Sequence, residues 1–127
     1  HDVIVNTKAC RDEFARLNAK VSGTDNHLFL LNVLDTYGIN GKEAQEKLEE
    51  IKITTNKNMI PNDTLSPNKT SGLRIGFAAL TTRGCNSEDA KEVARIIHGY
   101  LTNNVSKEES LNKVKMLVSK FIKIEDI

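Results

Sequence analysis

The stretch Leu28-Phe29-Leu30-Leu31-Asn32-Val33-Leu34 is an almost continuous apolar run, bounded by polar and glycine-containing segments. A run this short predicts a strand over His27 to Leu34, buried on both faces or nearly so. Two more short strands are predicted, at Ile53 to Asn56 and at Leu73 to Phe77. Three strands are too few for a sheet covered on both sides, so we expect helices to cover one face. The predicted class is α+β.

Helices are predicted where apolar residues recur at three- and four-residue spacing and where capping residues precede them. They are expected over Val3 to Val21, from near Gly41, from Asn86 or Ser87, and after Ser106. Asn40 with Glu43, and Ser106 with Glu109, have capping-box spacing. The residues expected to face the core are Cys10, Phe14, Leu17 and Val21; Ala44, Leu48 and Ile51; Ala90, Val93, Ala94, Ile97 and Leu101; and Leu111, Val114, Leu117, Val118 and Phe121.

The composition predicts a single soluble, intracellular domain over residues 1–127. The net charge of +1 is too small to indicate a nucleic-acid partner, and no apolar run is long enough to span a membrane. Cys10 and Cys85 are too few to hold a small secreted fold together. The chain starts at His1 rather than Met, which suggests a cut inside a longer protein.

A metal centre is not predicted, because His27 and His98 have no cysteine or carboxylate neighbour at ligand spacing. His98 is expected at the boundary of the core. Cys10 is expected to be an inert core residue. Cys85 lies at a helix start, but only Arg83 nearby would favour a reactive thiol.

Two polar clusters are candidate binding groups. Asn56-Lys57-Asn58 ends the second predicted strand, and its amides either face a planar heterocycle or bond their own turn. The residues alone favour the turn. Arg74 lies inside an apolar strand, where its planar guanidinium either holds a ligand carboxylate or pairs with a nearby Asp or Glu. The sequence leaves these two roles of Arg74 equally open.

Five motifs in this part of the chain resemble, in order and spacing, those of serine hydroxymethyltransferases. They are Gly23-Thr24-Asp25-Asn26-His27-Leu28, Gly41-Lys42-Glu43-Ala44, Asn56-Lys57-Asn58 with Ile60-Pro61-Asn62-Asp63, Thr70-Ser71-Gly72-Leu73-Arg74-Ile75-Gly76, and Ala79-Leu80-Thr81-Thr82-Arg83-Gly84. The resemblance is to the C-terminal part of that enzyme. Ser22 stands where the family often has a second glycine.

The resemblance implies the small C-terminal domain of a pyridoxal-phosphate enzyme built like aspartate aminotransferase, with a short antiparallel sheet covered by helices. It implies an enzyme that interconverts serine plus tetrahydrofolate and glycine plus 5,10-methylenetetrahydrofolate. Arg74 would bind the carboxylate of serine or glycine, and Asn58 would contact the pteridine ring of tetrahydrofolate. No role follows for Lys57 or Arg83.

The chain departs from the family pattern because it has no Thr-rich segment ending in the His-Lys of the Schiff-base lysine. Pyridoxal phosphate would therefore be held mainly by a large domain elsewhere, and this chain alone is expected to be inactive. The resemblance also implies a homodimer or homotetramer. The cytoplasm is the expected location, although mitochondrion and plastid are not distinguished from it.

Two other interpretations stay open on the sequence. One is a free-standing α+β module that binds a ligand or a protein without catalysis. The other is the small domain of an aminotransferase, which also binds a carboxylate through an arginine. The Asn56-Lys57-Asn58 motif and the Ile60-Pro61-Asn62-Asp63 motif count against the aminotransferase, because an aminotransferase needs no folate site there.

Overall fold

A computed structural model describes residues 2–22, 28–61, 63–76 and 86–125. The elements in chain order are α1 (Asp2–Arg16), β1 (Leu28–Asn32), α2 (Val33–Tyr37), α3 (Gly41–Glu50), β2 (Asn56–Asn58), β3 (Gly72–Gly76), α4 (Ser87–Leu101) and α5 (Lys107–Glu125). This arrangement confirms the predicted α+β class. Within these ranges, no helix is long and apolar enough to cross a membrane.

The three strands form one antiparallel sheet in the order β1-β3-β2, so the last strand in sequence is central. Leu30 of β1 and Asn56 of β2 both lie opposite Arg74 of β3. Because side chains alternate along a strand, these three residues share one face of the sheet. Phe29, Leu31, Leu73 and Ile75 point to the other face and are buried.

Helices α1 and α4 pack against each other, and α4 supplies more buried core residues than any other element. Their contact includes Glu13, which is only 5% exposed. Glu13 accepts two hydrogen bonds from Arg16, at 2.9 and 2.6 Å, and one from Arg95 of α4, at 2.9 Å. The hydrogen bonds from Arg16, together with the bond and the charge of Arg95, lower the pKa of Glu13 to about 2. They outweigh the effect of burial, which would raise this pKa. The carboxylate therefore fixes α1 to α4.

The predicted core residues of the helices are largely confirmed. Cys10, Phe14, Ala44, Leu48 and Ile51 are fully buried, and the whole predicted stripe of α4 is buried. In α5, Val114 and Leu117 are buried and Leu111 is partly buried, while the side chains of Val118 and Phe121 lie outside the described set.

The capping residues behave as their spacing indicates. The Asn40 box precedes α3, and Asn86, rather than Ser87, caps α4 together with Asp89. Ser106 Oγ accepts a hydrogen bond from the backbone N–H of Glu109 at 3.2 Å, which supplies one half of the predicted box.

The predicted end of α1 at Val21 is wrong. The helix ends at Arg16, and Asn18 follows in the left-handed region with φ 69°. The N–H groups of Asn18 and Ala19 bond back to the carbonyls of Ala15 and Phe14, which is the Schellman pattern. Val21 instead forms an antiparallel bridge with Leu31, so its apolar side chain marks a sheet contact rather than a further helical turn.

The predicted limits of the first strand are also wrong. β1 ends at Asn32, whose side chain accepts a hydrogen bond from Asp35 N at 3.1 Å and caps α2. Val33 is therefore a buried helical residue. Along β1, Phe29 and Leu31 are fully buried, whereas Leu28, Leu30 and Asn32 are only half-buried. One face of β1 is thus less covered than the apolar run suggested.

The second strand begins at Asn56 and not at Ile53 as predicted. Lys52 has φ 68°, and the N–H groups of Lys52 and Ile53 bond to the carbonyls of Glu49 and Leu48 at the end of α3. Ile53 is thereby held in a Schellman cap and is not free to pair. The third strand starts one residue early, at Gly72, and Phe77 lies outside the described residues.

Replacing Lys52 by glycine is expected to stabilise the protein by about 0.5–1 kcal/mol. Left-handed backbone costs a residue with a side chain about 1–2 kcal/mol. Glycine removes this cost, but the greater conformational freedom of glycine in the unfolded chain cancels about half of the gain. The measurement is the midpoint of urea unfolding followed by circular dichroism. The control is Lys52→Ala, which keeps the strain and should bring no gain. A midpoint of the glycine variant below that of the unchanged protein would contradict the cap.

Candidate functional site

The predicted site residues lie together on the uncovered side of the sheet. We call this side the open face and define it by Leu28, Leu30, Asn32, Asn56, Asn58 and Arg74. Asn58 follows Asn56 by two residues and therefore points the same way. Adjacent strands lie about 5 Å apart, so the two neighbouring strands bring Arg74 and the asparagines within reach of one small molecule.

Arg74 has an exposed side chain on a firmly held stretch of backbone. Its neighbours Leu73 and Ile75 are buried on the opposite face, and β3 is paired on both sides. Among the described residues, the guanidinium has no hydrogen-bond or ion-pair partner. A structural pair with an Asp or Glu of the described chain is therefore not formed. An open planar fork on a fixed strand suits a bidentate carboxylate.

Asn58 is half-buried at the end of β2. Its Nδ2 donates a hydrogen bond to the carbonyl of Met59 at 2.9 Å, which is the local turn bond considered from the sequence. Its Oδ1 accepts no bond from the described residues. The neighbouring Lys57 N–H donates to Gln45 Oε1 of α3 at 2.8 Å, which fixes this short strand from its outer side. Asn58 thus keeps an acceptor, and one N–H, for a heterocycle.

Asp63 organises the loop between β2 and β3, and in the sequence it stood out only as the last residue of the Ile60-Pro61-Asn62-Asp63 motif. Its Oδ2 accepts from Ser71 N at 2.8 Å and Ile60 N at 3.2 Å, and its Oδ1 accepts from Ser71 Oγ at 2.7 Å and Leu65 N at 2.9 Å. Burial would raise the pKa of Asp63, but these bonds from Ser71, Leu65 and Ile60 lower it to about 2. The available signal for this role was the spacing in the sequence: an aspartate in the loop lies eight residues before the serine that precedes β3.

The start of β3 is packed tightly against the end of β2. A Cβ atom on Gly72 would lie 2.8 Å from the carbonyl oxygen of Asn58 and 2.9 Å from a methyl carbon of Ile60. Thr70, two residues earlier, has φ 56°, an uncommon backbone conformation for a β-branched residue. Its Oγ1 donates to the carbonyl of Gly72 at 3.1 Å. Only glycine allows this close approach beside Asn58.

A groove of about 440 Å³ lies beside the open face. Leu30 and Asn32 of the sheet line it, together with Ile60, Pro61 and the segment of residues 19–22. Neither Arg74 nor Asn58 is part of its wall. The groove is therefore a neighbour of the two candidate binding residues and does not itself contain them.

The described residues do not fit a pyridoxal-phosphate site. That cofactor needs a lysine for its Schiff base, usually in surroundings that lower the lysine pKa. Of the lysines whose side chains are described, none is buried. The part of the chain that the structure describes also holds no group of three potential metal ligands. What the sheet presents instead is an exposed guanidinium and a half-buried amide, groups that can bind a carboxylate and a ring respectively.

The other candidates play different parts. Cys10 is buried in the core, as expected. His98 is half-buried, and its Nδ1 lies 2.8 Å from Tyr37 Oη. Burial lowers the pKa of His98. Arg83, Cys85 and His27 lie outside the described residues.

Comparison with known proteins gives one consistent match. The family model of serine hydroxymethyltransferase matches residues 1–97. The serine hydroxymethyltransferase of Levilactobacillus brevis is 51% identical over 104 residues, which cover 80% of this chain and 25% of that enzyme. The enzyme of Lactobacillus gasseri is 48% identical over 124 residues, which cover 93% of this chain and 30% of that enzyme. The enzyme of Mycoplasma mobile is 47% identical over 116 residues, which cover 90% of this chain and 28% of that enzyme. The chain spans about a quarter to a third of the relatives that it matches.

The stability that Asp63 contributes should depend on pH. Its pKa is lowered from an ordinary 3.8 to about 2, so the contribution is complete above the ordinary value and is lost as pH falls towards 2. Asp63→Asn is therefore expected to unfold at lower urea concentration than the unchanged protein near neutral pH. The difference between the two midpoints should shrink in acid. A difference that stays constant over this range would contradict the charged bonds.

Proposed function

Because this chain belongs to the serine hydroxymethyltransferase family, we propose that it is the substrate-binding C-terminal part of an enzyme that interconverts serine and glycine with tetrahydrofolate as the one-carbon carrier. The observation that carries the proposal is the guanidinium of Arg74 on the open face, which has no partner among the residues that the structure describes. The family membership also leaves no support for the aminotransferase interpretation.

Arg74 is proposed to hold the carboxylate of serine or glycine. Its guanidinium can donate two parallel hydrogen bonds, which fix both the position and the rotation of the amino acid. The buried neighbours on β3 hold the base of the side chain, so the amino acid is held in one orientation relative to the rest of the site. The contribution of Arg74 is therefore binding and orientation.

Asn58 is proposed to contact the pteridine ring of tetrahydrofolate. Its Oδ1, which accepts no bond from the described part of the chain, can accept, and its second N–H can donate, which suits the mixed donors and acceptors of that ring. Asn56 lies directly opposite Arg74, and Asn58 follows Asn56 by two residues on the same face, so the folate and the amino acid would approach each other there. This arrangement brings the one-carbon donor and acceptor together.

Pyridoxal phosphate is proposed to be held by other parts of the protein, where it would withdraw electrons from the amino acid. The lysines described here do not supply its site, and the chain corresponds to only 25–30% of its relatives. We therefore expect the isolated chain to be inactive, and we propose a cytoplasmic homodimer or homotetramer for the complete enzyme. A free-standing binding module remains the alternative.

Replacing Arg74 by lysine in the complete protein should raise the KM for serine about tenfold or more. The variant loses one of two charge-assisted hydrogen bonds, each worth about 1.5–3 kcal/mol. The measurement is tetrahydrofolate-dependent conversion of serine to glycine, with Arg95→Lys on α4 as the matched control. Unchanged serine affinity in Arg74→Lys would exclude this role. Absence of any serine turnover by the unchanged complete protein would favour the binding module.

Replacing Asn58 by alanine should raise the KM for tetrahydrofolate by about fivefold to a hundredfold, since one or two hydrogen bonds of about 1–1.5 kcal/mol each are lost. The KM for serine should change little. Asn68→Ala is the control, because Asn68 is exposed in the loop away from β2. Equal effects of Asn58→Ala and Asn68→Ala on tetrahydrofolate would contradict the contact.

A further inference from the structure

The two proposed substrate contacts lie at the two ends of one loop. Asn58 ends β2, Arg74 is the third residue of β3, and the connection between the two strands is too long to be a tight turn. A long connection does not by itself fix the register of its strands. Some group must therefore determine how β2 and β3 meet beside the open face.

Asp63 bonds to both ends of this loop. Through Ile60 N, at 3.2 Å, its carboxylate holds the backbone two residues after Asn58. Through Ser71 N and Ser71 Oγ, at 2.8 and 2.7 Å, it holds the backbone three residues before Arg74. One carboxylate thus joins the exit of β2 to the entry of β3.

The backbone that Asp63 holds is strained. Thr70 has φ 56°, and a residue with a side chain in this region costs about 1–2 kcal/mol. The strain persists because neighbours fix the turn: Thr70 N donates to Ser66 O at 2.8 Å, Thr70 O accepts from Gly41 N at 2.9 Å, and Ser71 is held by Asp63. Without the carboxylate, the turn can relax and move the end of β2.

We propose that Asp63 is a positioning residue that sets Asn58 beside Arg74, an inference that rests on the function proposed above. The two contacts depend on Asp63 to different degrees. β3 is central and pairs with a strand on each side, so Arg74 is held independently of the loop. β2 is a three-residue edge strand, so the position of Asn58 depends on the loop. Loss of Asp63 therefore affects the folate contact more than the amino-acid contact.

The test uses the complete protein with pyridoxal phosphate bound and compares Asp63→Asn with Glu13→Gln. Both carboxylates accept several hydrogen bonds and have a pKa of about 2, but Glu13 joins α1 to α4 away from the open face. The quantities measured are the KM for serine, the KM for tetrahydrofolate, kcat and Tm. A merely structural carboxylate would change Tm alone.

Asp63→Asn is expected to raise the KM for tetrahydrofolate about tenfold or more, because a displacement near 1 Å can cost up to about a hundredfold. The KM for serine should rise less. Glu13→Gln should lower Tm and leave both KM values unchanged. Ser71→Ala, which removes the Oγ bond and keeps the backbone bond, should give a smaller change in the same direction and carries the test if Asp63→Asn does not fold.

A Tm loss in Asp63→Asn and Ser71→Ala with both KM values unchanged would overturn the positioning role, as would equal rises of both KM values. These outcomes leave the proposed function intact, because the unchanged protein still converts serine with tetrahydrofolate. If the unchanged complete protein shows no such turnover, the proposed function fails, and the positioning role fails with it.

Discussion

The pairing of β3 with a strand on each side is the constraint on which the rest of the structure depends. Alternation along this central strand sends Leu73 and Ile75 into the core and Arg74 to the opposite side. The core of α1, α3 and α4 packs on the first side, so the second side can carry polar groups beside Leu28 and Leu30. Burial of two apolar residues therefore places a charged side chain where a ligand can reach it. Core packing and the exposure of the guanidinium thus depend on the same three residues.

The sequence predicts the helices and strands much better than it predicts where they end. Apolar spacing correctly indicates the cores of α1, α3 and α4, because each helix has to bury one face. The predicted end of α1 is too late, and the turn that follows α3 was predicted as the start of a strand. Asn18 and Lys52, and likewise Asn103 after α4, adopt left-handed backbone that glycine usually marks. Asparagine can also mark such an end, as at Asn18 and Asn103, but Lys52 gives no local signal.

The candidate site was accessible to sequence reasoning only in part. An arginine between apolar residues of a strand drew attention to Arg74, but whether it had a structural partner required the register of three strands. The family motif suggested Asn58, while its local bond to Met59 also fits the plainer interpretation. Asp63 was recognised only as part of a motif, and its structural role was not predicted because its partners come from both ends of a loop. Contacts between segments that are distant in sequence leave no periodic pattern from which they could be predicted.

Both edges of this small sheet are covered by other parts of the chain. Beyond β1, residues 20–22 supply a bridge at Val21 and hydrogen bonds to Leu30 and Asn32. Beyond β2, Gln45 of α3 accepts the outward N–H of Lys57. Unpaired strand edges recruit strands from other molecules and lead to aggregation. Because these edges are occupied, the sheet can keep one broad face open for small ligands without offering a template for self-association.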